Sequence, residues 1–119
     1  MNHEQWIKEV SNKQCRKITQ HYLDIIKPRY ARNQYPIPKW IIFTEQLLQW
    51  NWQIFLYRAK STYSKYLYIS KGKQTIKVRF SNHKPNKFNQ VNNDSDYYVG
   101  ISHSESLTTE ALLEKLSLY

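Results

Sequence analysis

Three strand-like runs separated by very short links constrain this chain more than any other feature. "WQIFLYRAK", "KYLYIS" and "TIKVRFS" crowd β-branched and aromatic residues into positions 52–81. The links between them, "STYS" and the "KGK" around Gly72, are a few residues each. A parallel crossover needs a dozen or more residues, so these runs must pair antiparallel, with Gly72 in a hairpin turn.

Alternation then assigns faces. In the third run Ile76, Val78 and Phe80 point one way and Lys77 and Arg79 the other; in the second, Leu67 and Ile69 oppose Tyr66 and Tyr68. With the aliphatic sets in the core, Tyr66 and Tyr68 lie beside Lys77 and Arg79 on what this reading takes as an open face.

Helical patterns flank the strands. Residues 3–27 contain neither Gly nor Pro, and Ile7, Val10, Ile18, Tyr22 and Ile25 recur at helical steps, which predicts one amphipathic helix broken by the segment after Pro28. In "KWIIFTEQLLQ", residues 39–49, Trp40, Phe43 and Leu47 fit a helical stripe behind Pro38, while "WIIF" alone suits a strand; the helical stripe is the longer pattern. Downstream, "NHKPNKFNQVNNDSD" is a long Asn-dense connection, "YYVGIS" reads as a fourth strand, and "SLTTEALLEKL" as a closing helix capped by Ser106 or Thr108.

The expected fold is therefore α+β: an antiparallel meander of about four strands packed in two layers against N-terminal helices and a C-terminal helix. A chain of 119 residues fits one domain, residues 1–119, with helices over about 3–50, sheet over about 52–102 and the closing helix over about 107–117. Hydrophobic residues at 40% and aromatics at 15% favour an ordered globule over a disordered chain.

Charge narrows the partners. Residues 1–93 hold seventeen of the eighteen Lys and Arg against four acids, a net of +13, while residues 94–119 hold one Lys against five acids, a net of −4. A surplus of this size draws polyanions by counterion release, which makes nucleic acid, RNA or DNA, the first partner to expect. Aromatic rings interleaved with cations are what single strands use, because bases stack on rings while cations hold phosphates. Tyr66, Tyr68, Lys77 and Arg79 are the expected platform, with Lys65, Lys71, Lys73, His83, Lys84 and Lys87 as phosphate contacts.

Other chemistry finds little footing. The lone Cys15 has no Cys or His partner at a ligand spacing, which points to a reducing compartment, and His3 and His21 form no metal pattern. No Gly-rich phosphate loop, nucleophile elbow or carboxylate cluster is present, so no cofactor, metal site or catalytic residue is expected. The N-terminus lacks signal-peptide order and no apolar run approaches the ~20 residues of a membrane span, so the expected location is cytoplasmic, away from membranes.

The string "KVRFSNH", following "KYLYIS" and a Gly-containing turn, resembles the Arg-(Ile/Phe)-Ser-(Asp/Asn)-His box of small proteins from phages, plasmids and other mobile elements. The resemblance covers residues 61–83 and implies an origin rather than an activity. The hairpin with its closing helix is also similar in layout to HicA-type toxins, small RNases with a double-stranded-RNA-binding-like fold. Those place a His on the first hairpin strand, where Lys65 stands here.

Three functions follow. The leading one is a non-enzymatic nucleic-acid-binding or ribonucleoprotein-associated module. A second is a protein-binding inhibitor or accessory factor acting on a host defence complex, its partner a host or element-encoded protein complex, with Tyr35, Trp40, Trp50 and Trp52 as anchors. The third is a toxin-like, metal-independent RNase in which His83 and His103 would share acid and base work.

Overall fold

The structure, a computed structural model, describes residues 1–34, 36–60, 64–80, 99–101 and 106–119. Its elements run α1 (His3–Asn12), β1 (Arg16–Lys17), α2 (Gln20–Arg32), α3 (Lys39–Gln49), β2 (Gln53–Arg58), β3 (Lys65–Lys71), β4 (Gln74–Phe80), β5 (Val99–Ile101), β6 (Ser106–Leu107) and α4 (Thr109–Leu116). The α+β class and the antiparallel meander are as the strand pattern requires, and residues 39–49 are helical. Strand order follows chain order from β1 to β6, every neighbour antiparallel.

The hairpin between β3 and β4 turns at Gly72, whose φ of +59° is left-handed, and its register aligns Ile69 with Ile76 and Leu67 with Val78. With Ile54 and Leu56 of β2, these side chains form the floor on which α2, α3 and α4 pack. Phe43 of α3 meets Phe80 edge-on at 5.3 Å, and Leu112 and Leu116 of α4 complete the cluster. Trp40 and Trp52 belong to this core and Trp50 packs against it, so these three are not exposed anchors; Tyr35 lies outside the described residues.

Two details depart from the helical reading of residues 3–27. The helix stops at Asn12: Gln14 adopts φ +50°, the Cys15 N–H donates to the Val10 carbonyl and the Gln14 N–H to that of Ser11. This is a Schellman end built on glutamine instead of glycine. Arg16 and Lys17 then pair with Leu56 and Phe55, satisfying an edge of β2, before Thr19 caps α2 by accepting from the Tyr22 N–H. The second departure is at Pro28, which lies inside α2. Its ring is exposed and the carbonyl it deprives of a donor belongs to exposed Asp24, where water can replace the lost bond.

The separated α1 does not join the other helices. It crosses the opposite face of the sheet, where the Trp6 indole donates to the Ile76 carbonyl at 3.3 Å and meets Phe55 edge-on, and where the Thr75 hydroxyl donates to the Met1 carbonyl. Beside the sheet and its main helical layer, α1 thus covers part of the outer face. Among the described residues, no helix is long and apolar enough to cross a membrane.

Candidate nucleic-acid interface

Strand register builds the outer face in rows. Tyr57, Tyr66 and Arg79 stand side by side across β2, β3 and β4, and Phe55, Tyr68 and Lys77 form the next row. The predicted quartet Tyr66, Tyr68, Lys77 and Arg79 therefore shares a face. That face is not open, because α1 lies over its second row.

Glu9 of α1 fastens the cover. One of its carboxylate oxygens accepts from the Tyr68 hydroxyl at 3.0 Å and from the Lys77 ammonium at 3.1 Å, and Lys13 lies 3.6 Å from the same oxygen. Partial burial pulls the Glu9 carboxyl upward, but the hydrogen bonds from Lys77 and Tyr68 and the charges of Lys77 and Lys13 outweigh it. The net effect holds Glu9 below the usual carboxylate value. Burial first, and Glu9 second, push the Tyr68 phenol far up, so it stays a neutral donor. Tyr68 is fully buried and out of reach of a base.

The first row is less covered than the second. Tyr57 and Tyr66 are half-buried with ring centroids 6.0 Å apart, and Arg79 is exposed. The Lys13 ammonium sits 5.0 Å from the Tyr57 centroid and 5.3 Å from that of Tyr66, and Lys77 sits 5.1 Å from Tyr66. These are cation–π distances, and both ammonium groups also lie beside the Glu9 carboxylate, Lys77 at 3.1 Å and Lys13 at 3.6 Å.

The same end of the sheet gathers more cations on its other side. The Arg16 guanidinium stacks 4.2 Å over the Tyr22 ring, and Arg58 donates to the Tyr22 hydroxyl at 3.4 Å. Arg58 stands directly opposite Lys65 in the ladder. The Lys65 ammonium is pushed down, by burial first and by the Arg58 charge second. One rim, where β2 ends, β3 begins and β4 ends, thus carries Lys13, Arg16, Arg58, Lys65 and Arg79 beside Tyr22, Tyr57 and Tyr66.

Lys71 and Lys73 do not join this group. They flank Gly72 at the far end of a seven-residue strand, about 20 Å away, and Lys71 donates to the Tyr119 carbonyl at 2.8 Å. His83, Lys84, Lys87 and His103 lie outside the described residues, as do Ser81 and Asn82. Among the described residues, no group of His, Cys, Asp or Glu could hold a metal. Cys15 is half-buried and burial pushes its thiol up against the pull of Lys13, which makes it a poor nucleophile.

The site expected from the sequence does not include Lys13, Arg16, Tyr22, Arg58 or Tyr57. Tyr57 and Arg58 align with Tyr66 and Lys65 through the β2–β3 register, which the Gly72 turn does not set, and the approach of Arg16 to Tyr22 depends on the helix break at Gln14. Compared with family models, curated proteins and solved structures, the chain matches none of them.

Proposed function

We propose that this chain is a small, basic nucleic-acid-binding module that holds a single strand along the rim where β2 and β4 end and β3 begins. One observation carries the reading: five cations and three tyrosines, drawn from the end of α1, from β1, α2 and three consecutive strands, meet at one edge of the sheet. Arg16, Arg79 and Lys13 serve as phosphate contacts, and Tyr66 and Tyr57 offer half-exposed ring faces to bases. Tyr68 and Lys77 act indirectly, by docking α1 through Glu9 and so placing Lys13 over the tyrosines.

Fluorescence anisotropy with a labelled single-stranded RNA, and its DNA counterpart, tests this. Three phosphate contacts predict a log–log salt slope of about −2, hence roughly twenty-fold weaker binding between about 50 and about 200 mM salt. Arg16→Ala and Arg79→Ala should each shallow that slope by about 0.7. Salt-independent binding, or no binding at low salt by the folded protein, would overturn the reading.

A further inference from the structure

Of the two ammonium groups over the outer-face tyrosines, one is hydrogen-bonded and the other is not. Lys77 donates to the Glu9 carboxylate at 3.1 Å, whereas Lys13 lies 3.6 Å from the same oxygen, longer than a hydrogen bond. The rest of the hold on Lys13 is aromatic. Its ammonium stands 5.0 Å from the Tyr57 centroid, 5.3 Å from that of Tyr66 and 5.8 Å from that of Tyr68. The side chain is 32% exposed and leaves the backbone at the C-cap of α1, one residue before the left-handed turn at Gln14. Lys13 can therefore swing away without breaking a hydrogen bond.

Its departure changes one ring above all. Lys77 stands over Tyr66 and Tyr68, at 5.1 and 5.5 Å, so those two keep a cation when Lys13 leaves, and Tyr68 is fully buried in any case. Over Tyr57, among the described residues, Lys13 is the one cation. Tyr57 is half-buried and sits at the rim beside Arg58. An ammonium over a partly exposed ring is held weakly, whereas a phosphate oxygen offers it a charge-assisted hydrogen bond. A base that stacks on Tyr57 competes with Lys13 for the ring, and the phosphate attached to that base is what draws Lys13 off. The two contacts exchange: ammonium to ring gives way to ammonium to phosphate and base to ring.

We infer that Lys13 is an exchangeable cap on Tyr57, which covers the ring in the free protein and moves onto a backbone phosphate when a strand binds, so that a base stacks on Tyr57 only after its phosphate has been captured. The inference rests on the nucleic-acid reading above and adds an order of events to it. It also ties base stacking, which is by itself a neutral contact, to an electrostatic one, and so makes the base contribution to affinity depend on salt through Lys13.

Solution NMR on the full chain with isotope-labelled lysine reads the exchange directly. In the free protein the Lys13 ε-methylene should resonate upfield of the exposed lysines, shielded by the Tyr57 ring, the peak being assigned by its loss in Lys13→Arg. Saturation with the single-stranded RNA or DNA that binds should return it to the ordinary lysine position. A resonance unshifted in the free protein, or still shielded at saturation, overturns the cap while leaving the nucleic-acid reading intact; no binding by the folded protein at low salt overturns both. Affinity gives the second readout, as the ratio between that strand and an abasic strand of the same backbone and length. One phosphate contact weakens about fourfold between about 50 and about 400 mM salt, so the wild-type ratio should fall by about two- to fourfold over that range. Lys13→Ala, its fold checked by circular dichroism, should hold the ratio constant. A constant ratio in the wild type, or an equal fall in the variant, overturns the cap.

Discussion

Truncating Glu9 to Ala should loosen α1 from the sheet, and the cost can be worked from the contacts. The carboxylate accepts from Tyr68 at 3.0 Å and from Lys77 at 3.1 Å, and pairs with Lys13 at 3.6 Å. A charged hydrogen bond contributes about 1.5–3 kcal/mol in a buried site and an exposed ion pair about 0–1 kcal/mol. With the Glu9 side chain 24% exposed, roughly 1 kcal/mol for each of the two short bonds is the fair middle value. The better helix propensity of Ala returns a few tenths, leaving a loss of about 1.5–2 kcal/mol. For 119 residues the unfolding entropy is about 250 cal/mol/K, so melting should fall by about 6–8 °C. Calorimetry on the wild type, Glu9→Ala, Lys77→Met and the double variant should give a coupling of about 1 kcal/mol between the two sites. The loss also has a pH signature. The folded-state pKa of Glu9 lies below its ordinary value of 4.5, so its contribution is complete above that value and disappears as pH falls through the lower one. A coupling near zero, or a Glu9→Ala deficit that stays constant from neutral pH into strong acid, would refute the docking role of Glu9.

Gln14→Gly should stabilise the protein by about 0.5–1 kcal/mol, because glycine adopts the φ of +50° without the steric cost a side chain bears; urea unfolding would show it, and a destabilised variant would reject the strained helix end. Phe43→Ala, which empties a fully buried site against Phe80, should cost about 3–5 kcal/mol, read from the same denaturation curves. Cys15, whose thiol burial pushes up, should alkylate with iodoacetamide more slowly in the native state than in urea, and equal rates would contradict its half-buried position.

The outer-face row of the candidate site was legible because its determinants are local. A period of two and a Gly72 turn dictate that Tyr66 and Arg79 share a face and that Leu67, Ile69 and Val78 share the other. The helix α3 was equally readable from Trp40, Phe43 and Leu47, and the α4 cap from Thr108, which accepts from the Ala111 N–H. The rim was not, since Arg58 meets Lys65 only once the hairpin register is set, and Arg16 reaches Tyr22 only once the chain has turned back onto β2.

What the sequence alone determined is a basic chain of antiparallel strands with helices before and after them, because alternation, turn residues and helical stripes act over a few positions. Where the first helix stops and which face it covers were decided by tertiary structure. A left-handed end at Gln14 carries no glycine to announce it, and with only two glycines in the chain such ends fall to Gln14, Gln34 and Asn51. Both sheet faces, moreover, offer something to bury, Leu67 and Ile69 on one and Phe55 and Tyr68 on the other. Local pattern leaves that choice balanced, and it is settled by contacts distant in sequence, Trp6 to Ile76 and Glu9 to Tyr68 and Lys77, which exist only after the sheet has formed.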